Sequence, residues 1–248
     1  MNILAARNLS KSFGGVQAVR NVSFSVAAGE LLAMIGPNGA GKTTCFNLVG
    51  GQLRPDAGEI FLAERNVLGR PPRELCRLGV GRTFQVAAAF SSMTVRENVQ
   101  VAVLSGEQKL NSLFSTFERN DKAEQILMQV GMDAQADRSC AELAYGDLKR
   151  VELAIALAAR PRLLLMDEPT AGMAPAERHG LMALVKGIAR EKGISVLFTE
   201  HDMDVVFQYA DRVIVLSEGE LIAQGSPAEV RADARVRRVY LGEEASHA

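Results

Sequence analysis

One glycine-rich segment, residues 36–43, constrains this chain more than any other part of it. The segment reads Gly-Pro-Asn-Gly-Ala-Gly-Lys-Thr and matches the phosphate-binding pattern G-x-x-x-x-G-K-S/T. A continuous apolar run, Leu31–Ile35, precedes it and predicts a strand buried on both faces, while residues 42–49 read as a helix. A strand, a tight glycine turn and a helix in this order direct backbone amides and the positive end of a helix dipole at an anion.

The same segment predicts how a nucleotide phosphate is held. Lys42 supplies a point charge for the β and γ phosphates, and the Thr43 hydroxyl is placed to bind Mg²⁺. The predicted nucleotide contacts are Gly36, Pro37, Asn38, Gly39, Ala40, Gly41, Lys42, Thr43 and Thr44.

An acidic pair lies at the end of another apolar run. Residues 162–167 predict a strand that leads into Met166-Asp167-Glu168. In open α/β sheets the carboxyl ends of the strands carry the groups that contact ligands. Asp167 is suited to hold Mg²⁺ through its water shell, and Glu168 to polarise an attacking water as a general base. The alternative is a solvated strand end, which the phosphate-binding segment upstream disfavours.

The alternation of strands and helices predicts the fold class. Residues 1–35 read as strands, and further strands are predicted at 59–62, 162–167, 195–199 and 212–216. Helices are predicted at 42–49, 73–78 and 176–191 and over much of 94–158, where the polar stretch 105–121 reads as an irregular connection. This order is typical of a parallel, doubly wound sheet with a helical insertion in its middle. Since no internal repeat is visible, we predict one nucleotide cassette.

Composition narrows the function classes. The chain has 248 residues, with 28 Lys plus Arg, 29 Asp plus Glu, a formal net charge of −1 and 48% hydrophobic residues. These values exclude a disordered chain and leave no global basic field for wrapping nucleic acid. The scattered Cys45, Cys76 and Cys140 indicate a reduced cytosolic protein. The N-terminus lacks a signal-peptide pattern and no apolar run approaches the ~18 residues that cross a bilayer, so we expect any membrane role to come through a partner.

With these motifs the chain resembles the nucleotide-binding subunits of ATP-binding-cassette transporters over nearly its whole length. Phe13 matches the aromatic residue that stacks on adenine in that family. Gln85, within residues 81–85, matches the glutamine that senses the γ-phosphate and Mg²⁺. His201 matches the histidine that contacts the γ-phosphate and orients the attacking water and Glu168.

The resemblance therefore implies ATP and Mg²⁺ as ligands and ATP hydrolysis as the activity. It places Thr43, Gln85 and Asp167 at the metal, and Glu168 and His201 at the chemistry. His179 and His247 match nothing in the family and read as surface residues.

Residues 143–147, Leu-Ala-Tyr-Gly-Asp, occupy the place of the family signature, which is usually Leu-Ser-Gly-Gly-Gln. The resemblance implies that a helix N-terminus faces the ATP of an opposing subunit here, presented by Ala144, Tyr145, Gly146 and Asp147. Ala144 replaces a Ser whose hydroxyl would bond the γ-phosphate, a loss of roughly 1–3 kcal/mol. Asp147 replaces Gln or Glu, and Ala174 stands where the family often has Asp or Asn. An ordinary helix N-cap is the structural alternative.

The resemblance also implies an architecture and a set of partners. We expect a RecA-like P-loop NTPase core, residues 1–88 and 158–248, with an antiparallel β subdomain and an inserted α-helical subdomain over about residues 89–157. Two cassettes would close head to tail around two ATP molecules as a homodimer or heterodimer. We expect two integral membrane permease subunits docked beside Gln85 and residues 87–93, a periplasmic solute-binding protein, no nucleic acid, and a place on the cytoplasmic face of the inner membrane.

Three local features look like the ATPase subunits of branched-chain amino acid transporters. They are residues 81–85, the Leu-Ala-Tyr-Gly form of the signature, and the ending over residues 225–242. Transporters of urea or amides, lipopolysaccharide transporters and a soluble cassette protein without a membrane partner are the alternatives that stay open. A P-loop kinase would leave the signature segment, Gln85 and His201 unexplained.

Overall fold

The computed structural model describes residues 1–83, 89–106 and 115–244. Its strands, in chain order, are β1 (Asn2–Phe13), β2 (Val16–Ala27), β3 (Leu31–Ile35), β4 (Ala57–Leu62), β5 (Arg65–Asn66), β6 (Val80–Thr83), β7 (Leu163–Asp167), β8 (Ser195–Thr199), β9 (Arg212–Ser217) and β10 (Glu220–Gly225). Its helices are α1 (Lys42–Val49), α2 (Pro72–Arg77), α3 (Val95–Gly106), α4 (Ser115–Val130), α5 (Tyr145–Ala158), α6 (Pro175–Lys192), α7 (Met203–Tyr209), α8 (Pro227–Ala232) and α9 (Ala234–Glu244).

The larger sheet runs, over the described ranges, in the order β10-β9-β3-β8-β7-β6. The strands from β9 to β6 are parallel, and β10 joins β9 as an antiparallel edge. Alternate residues of β3 enter two different apolar cores, with Leu31, Ala33 and Ile35 in one and Leu32 and Met34 in the other. The sheet is buried on both faces, which confirms the predicted parallel sheet and explains why β3 is apolar throughout.

A smaller antiparallel sheet, ordered β2-β1-β4-β5, shares the second of these cores. Four apolar residues at near-alternate positions of β2 are buried there, namely Val19, Val22, Phe24 and Val26. The step of three residues between Val19 and Val22 has a structural cause, because Asn21 between them is left-handed (φ 49°) and the β1–β2 register shifts at this point. The strands predicted over residues 1–35 are confirmed.

The helices α3, α4 and α5 pack against one another between β6 and β7 in the chain. A capping box stands at the start of α3, since the Thr94 amide donates to Glu97 Oε2 (2.8 Å) and the Glu97 amide donates to Thr94 Oγ1 (3.2 Å). The subdomain bounds 1–88, 89–157 and 158–248 remain a prediction.

The expectation of an irregular connection over residues 105–121 is wrong in part, because α4 begins at Ser115. Residues 107–114 lie outside the described residues. Over the part of α4 whose burial the structure describes, residues 120–130, the buried stripe comprises Ala123, Leu127 and Val130. Residues 115–122 contain a single apolar residue, Phe117, so they carry no apolar periodicity from which a helix could be predicted.

The cysteines and the longest helices of the described residues bear on two expectations from composition. The thiols of Cys45, Cys76 and Cys140 are free, and burial raises the pKa of Cys45 to about 12. In the part of the chain that the structure describes, no helix is both long and apolar enough to cross a membrane.

Candidate functional site

The glycine-rich loop between β3 and α1 is packed tightly against neighbouring strands. A Cβ on Gly36 would lie 2.2 Å from the Leu216 carbonyl oxygen, and a Cβ on Gly41 would lie 2.3 Å from the Ala18 carbonyl oxygen. Gly41 is also left-handed (φ 96°) and forms the N-cap of α1. Glycine is required at both positions for space, and at Gly41 for backbone conformation as well.

The loop lines a cleft of about 300 Å³ that also contains the side chains of Glu168 and His201. From the loop, this lining comprises Asn38, Gly39, Ala40, Gly41, Lys42, Thr43 and Thr44, and Ala18 of β2 adds to it. Lys42 is 7% exposed, and its ammonium donates to the carbonyl oxygens of Gly36 (2.6 Å) and Pro37 (3.0 Å). The predicted lysine and the predicted strand-end acid therefore lie in the same cleft.

Thr199 connects the two acidic residues at the end of β7. Its hydroxyl donates to Asp167 Oδ1 (2.7 Å) and accepts from the Glu168 amide (2.9 Å). Glu168 is left-handed (φ 47°), a conformation that costs a non-glycine residue on the order of 1 kcal/mol and is held here by the bond from its amide. The Thr199 hydroxyl thus fixes the Asp167 carboxylate and the Glu168 backbone from the neighbouring strand.

Glu168 and His201 are in direct contact. Glu168 Oε1 lies 2.9 Å from His201 Nε2. The two residues follow the adjacent parallel strands β7 and β8, where Asp167 pairs with Thr199. Their side chains are 23% and 49% exposed, so a water molecule can reach both groups.

Arg82 of β6 brings a positive charge to Asp167. Its Nη2 lies 3.7 Å from Asp167 Oδ2 and donates to Asn47 Oδ1 (2.8 Å), while the guanidinium lies 4.9 Å from the centre of the Phe46 ring. Burial lowers the pKa of Arg82, and the charge of Asp167 opposes that effect. The guanidinium therefore lies beside a carboxylate that is itself only 6% exposed.

The donor set fits a magnesium ion bound together with a nucleotide. Among the described residues, no group of three or more His, Cys, Asp and Glu side chains could form a metal cage. Mg²⁺ usually takes one or two protein oxygens and completes its shell with phosphate oxygens and water. The Thr43 hydroxyl and the Asp167 carboxylate offer that chemistry, whereas Gln85 lies outside the described residues.

The signature segment forms the start of α5 and is absent, within the described ranges, from the lining of the phosphate-loop cleft. Ala144 is the N-cap residue, and Asp147, in the first turn, accepts a hydrogen bond from Gln135 Nε2 (3.0 Å). Tyr145 is 46% exposed and covers Gly172, where an added Cβ would lie 3.4 Å from its ring. At the start of α5 Ala144 and Tyr145 are exposed, whereas Gly146 is buried and an added Cβ there would lie 3.3 Å from the Glu177 carboxylate.

The remaining predicted residues have mixed outcomes. Phe13 lies at the end of β1 with 47% exposure, and it too is absent from the cleft lining. Its role as an adenine platform remains a prediction. Among the histidines, His179 is half-buried and packs 5.8 Å from Tyr209, so its reading as a surface residue is wrong. His247 lies outside the described residues.

Thr199, Arg82 and Ala18 were not predicted to belong to the site. Thr199 and Arg82 lie at or near the carboxyl ends of strands that flank β7, and Ala18 touches the phosphate loop through its backbone. Their positions follow from strand order and register, which a single sequence does not reveal. The threonine after the apolar run 196–198 was the one available signal, since polar groups at the carboxyl ends of strands contact ligands.

A glycine loop of the phosphate-binding type, leaving the central strand β3 at the carboxyl edge of a parallel sheet, is the architecture of the P-loop nucleoside triphosphatases. Comparison with known proteins shows which kind this is. Residues 19–171 match the family described as ABC transporter, and residues 220–246 match the one described as branched-chain amino acid ATP-binding cassette transporter. The chain belongs to the ABC transporter family and is an ATPase of that family, as the sequence predicts.

Curated relatives and solved structures extend over nearly the whole chain. The branched-chain amino acid transport ATP-binding protein LivG of Salmonella typhimurium is 39% identical, covering 97% of this chain and 98% of LivG. The lipopolysaccharide export ATP-binding protein LptB of Acidithiobacillus ferridurans is 38% identical, covering 98% of each chain.

Two solved cassettes show the same fold. The ADP conformation of MJ1267, an ATP-binding cassette of an ABC transporter, has a TM-score of 0.88 and 36% identity over 98% of this chain and 99% of its own. A dimeric post-hydrolysis state of the cassette MJ0796, bound to ADP and phosphate, has a TM-score of 0.79 and 26% identity over 90% of this chain and 98% of its own. The predicted fold class is thereby confirmed.

Proposed function

We propose that this chain hydrolyses ATP with Glu168 as the general base and His201 as its partner, and that hydrolysis drives a membrane transporter. The contact between Glu168 Oε1 and His201 Nε2 (2.9 Å), inside the cleft lined by the phosphate loop, carries this proposal. A water between the γ-phosphate and Glu168 would lose its proton to the carboxylate, while His201 fixes the carboxylate and contacts the γ-phosphate.

The nucleotide would be held by the loop backbone, the Lys42 ammonium and the N-terminus of α1. Phe13 would stack on adenine through its exposed ring face. Mg²⁺ would be held by Thr43 and Asp167, with Gln85 as a further ligand, and when bound it neutralises charge on the β and γ phosphates.

A second cassette would complete each site. The exposure of Ala144 and Tyr145 at the start of α5 supports this, because a helix N-terminus outside the chain's own cleft is suited to an anion held by another subunit. Residues 144–147 would contact the partner's ATP through backbone amides, with no hydroxyl from Ala144. The dimeric state of a structural neighbour supports head-to-tail pairing, as a homodimer or a heterodimer.

An apolar cavity of about 400 Å³ between α2, α3 and α5 supports docking to membrane subunits. Its lining includes Leu75, Phe90, Val101 and Ile155, and Phe90 is 57% exposed. The apolar side of a cytoplasmic permease helix would fit this cavity beside residues 87–93, of which 87 and 88 lie outside the described residues. Two permeases and a periplasmic solute-binding protein would complete an importer on the cytoplasmic face of the inner membrane.

For the cargo we propose branched-chain amino acids or a related small polar solute. The match of residues 220–246 to the branched-chain amino acid cassette family and the likeness to LivG support this class. Lipopolysaccharide export is the second candidate, because LptB is nearly as similar over the whole chain.

The substitution Glu168→Gln tests the proposal. It preserves side-chain volume but removes the proton acceptor, so we expect ATP hydrolysis to fall by 10²-fold or more while ATP affinity is retained. We also expect a long-lived ATP-bound dimer, measured by size-exclusion chromatography with light scattering. In cells that carry the variant as their sole copy, uptake of radiolabelled leucine should be lost.

The matched control is Glu191→Gln, an exposed glutamate at the end of α6, for which hydrolysis and uptake should equal those of the wild type. Normal hydrolysis by the Glu168→Gln variant would overturn the assignment of Glu168. Lost hydrolysis with unchanged leucine uptake would leave the ATPase assignment standing and reject the cargo class.

A further inference from the structure

A second glutamate, Glu200, lies buried directly behind the Glu168–His201 pair. It follows β8 and is 3% exposed. Glu200 Oε1 accepts from the Thr170 amide (2.9 Å) and from the Thr170 hydroxyl (2.6 Å). Glu200 Oε2 accepts from the amide of His201 (3.2 Å). One carboxylate thus joins the loop after Glu168 to the backbone of His201.

Burial makes this carboxylate costly to the fold. Desolvation raises the pKa of Glu200, and the hydrogen bonds from Thr170 and His201 oppose that rise. The nearby charge of Glu168 raises the pKa further. An apolar side chain at this position would avoid that cost but would leave the buried Thr170 amide and hydroxyl without this acceptor. Satisfying Thr170 does not by itself account for the further bond from the His201 amide.

The position of Glu200 supplies a reason. Glu168 and His201 leave neighbouring strands and enter separate loops, so β-sheet hydrogen bonding no longer sets the distance between them. Thr199 ties the two loops at the strand ends, and Glu200 ties them one step further out, through Thr170 and His201. A third connection runs through Arg178, which donates to the Met173 carbonyl oxygen (2.7 Å) and to Asp202 Oδ2 (2.8 Å). Of these connections, Glu200 alone bonds the backbone of His201 itself in the described structure.

We propose that Glu200 is a positioning residue for ATP hydrolysis, which holds the His201 imidazole against Glu168 by clamping both loops together. The inference rests on the proposed roles of Glu168 and His201. Catalytic groups must be held within about 0.5 Å of their working geometry, and two separate loops without a cross-connection would not meet that limit. Glu200 touches neither ATP nor the attacking water in this role.

The substitution Glu200→Gln tests the clamp with little change of shape. A carboxamide has one acceptor oxygen and one NH₂ group, so either the Thr170 donors or the His201 amide would face another donor. We expect the kcat of ATP hydrolysis by the purified full-length chain to fall about 10-fold, with the KM for ATP changed less than about two-fold. A KM that rose with an unchanged kcat would overturn the proposal.

A spectroscopic readout separates positioning from general stability. The chain has three histidines, so ¹³C-labelled histidine gives few ring signals, and His201→Ala assigns the one from His201. In Glu200→Gln we expect that signal to shift or broaden because the imidazole is no longer fixed. An unchanged signal together with an unchanged kcat would show that Glu200 has no positioning role.

The matched control is Glu30→Gln. Glu30 is 12% exposed and accepts from the Ala27 amide (2.6 Å) and from Arg212 Nε (2.7 Å). It directly precedes β3, so it lies at the amino ends of the parallel strands, whereas the site lies at their carboxyl ends. The Glu30→Gln substitution should lower the melting temperature without changing kcat or the His201 signal. Equal losses of kcat in the two variants would reject the proposal in favour of a general stability effect.

Thr170→Val gives a second variant in case Glu200→Gln fails to fold. It removes only the hydroxyl bond to Glu200 and should lower kcat several-fold, and an unchanged kcat in the folded variant would overturn the clamp. Glu168→Gln separates the two proposals. If that variant is inactive while Glu200→Gln has wild-type kcat, only the positioning role fails, whereas an active Glu168→Gln would reject the proposed function itself.

Discussion

At the scale of single residues, the phosphate loop is shaped by neighbours that are distant in sequence. Gly36 faces the carbonyl of Leu216 on β9, and Gly41 faces the carbonyl of Ala18 on β2. The Gly219 amide, in the turn after β9, donates to the Ala40 carbonyl oxygen (3.1 Å), and the Gly219 carbonyl accepts from the Arg20 amide (2.7 Å). The loop is thus fixed from two sides by backbone, which cannot yield to a new side chain.

Alanine at Gly36 or Gly41 is expected to displace the loop. Overpacking of this kind typically costs 1–3 kcal/mol, so we expect a lower melting temperature and at least 10-fold weaker ATP binding by calorimetry. The control is Gly180→Ala on α6, where an added Cβ meets nothing within 4 Å, and which should raise stability by about 0.5–1 kcal/mol. Unchanged ATP affinity in both loop variants would contradict this account of the loop.

At the scale of elements, the helices begin in different ways. The N-cap residue of α8, Ser226, accepts from the Glu229 amide (3.3 Å) through its hydroxyl. Ala144 stands at the same position of α5 with nearly the same backbone angles, −64° and 154° against −60° and 157°. Alanine has no acceptor, so the amides of the first turn of α5 are left to other partners.

A reciprocal pair of substitutions tests this difference. Ala144→Ser should stabilise the chain by about 1 kcal/mol, or 2–4 °C in melting temperature, and Ser226→Ala should destabilise it by a similar amount. Differential scanning calorimetry of both variants measures the effect. A loss of stability in Ala144→Ser would show that the first turn of α5 does not accept a side-chain cap.

At the scale of the whole molecule, ion pairs connect elements that are far apart in the chain. Lys11 beside Asp56, Arg96 beside Asp137 and Arg178 beside Asp202 hold the pKa of each aspartate below its ordinary value. In contrast, burial raises the pKa of Glu152 and Glu200.

These shifts set the sign of the pH dependence. An aspartate whose pKa is lowered in the folded state stabilises the fold at pH values above the ordinary aspartate pKa. That contribution to the free energy of unfolding is lost as the pH falls through the lowered pKa. A glutamate whose pKa is raised has the reverse effect. It stabilises the fold at pH values below the ordinary glutamate pKa, and that contribution is lost as the pH rises through the raised pKa. Stability should therefore be highest at intermediate pH.

The substitution Asp202→Asn tests the predicted loss of stability at low pH. Asp202 also caps α7 by accepting from the amides of Asp204 (3.0 Å) and Val205 (3.2 Å). We expect a loss of about 1 kcal/mol at pH 7, from the weakened cap and a partly exposed ion pair. Below pH ~4 the wild type should lose this advantage as Asp202 is protonated. Urea unfolding at several pH values from 7 to 3 measures the difference in free energy of unfolding between the wild type and Asp202→Asn, with Glu191→Gln as the control. A difference that stayed constant over that pH range would refute the stabilising role of the ionised Asp202.

Much of the fold could be predicted because its signals are local. The α1 bounds, the β3 run, the Thr94 capping box and the strand before Asp167 each depend on a few adjacent residues. The start of α4 at Ser115 could not be predicted, because residues 115–122 contain one apolar residue, Phe117, and therefore show no apolar periodicity. His179 was misread for a related reason, since its partner Tyr209 is 30 residues away on another helix.

Sequence alone predicts the phosphate loop, the acidic strand end at Asp167 and Glu168, and membership of a family, because each is encoded in consecutive residues or in the order of motifs. Three contacts are visible only in the folded chain: Thr199 bridges the two acids, Arg82 lies beside Asp167, and Glu200 joins Thr170 to His201. These contacts depend on the order β6-β7-β8 and on the pairing of Asp167 with Thr199. Strand order and register arise from the burial of many side chains at once, so no single segment encodes them.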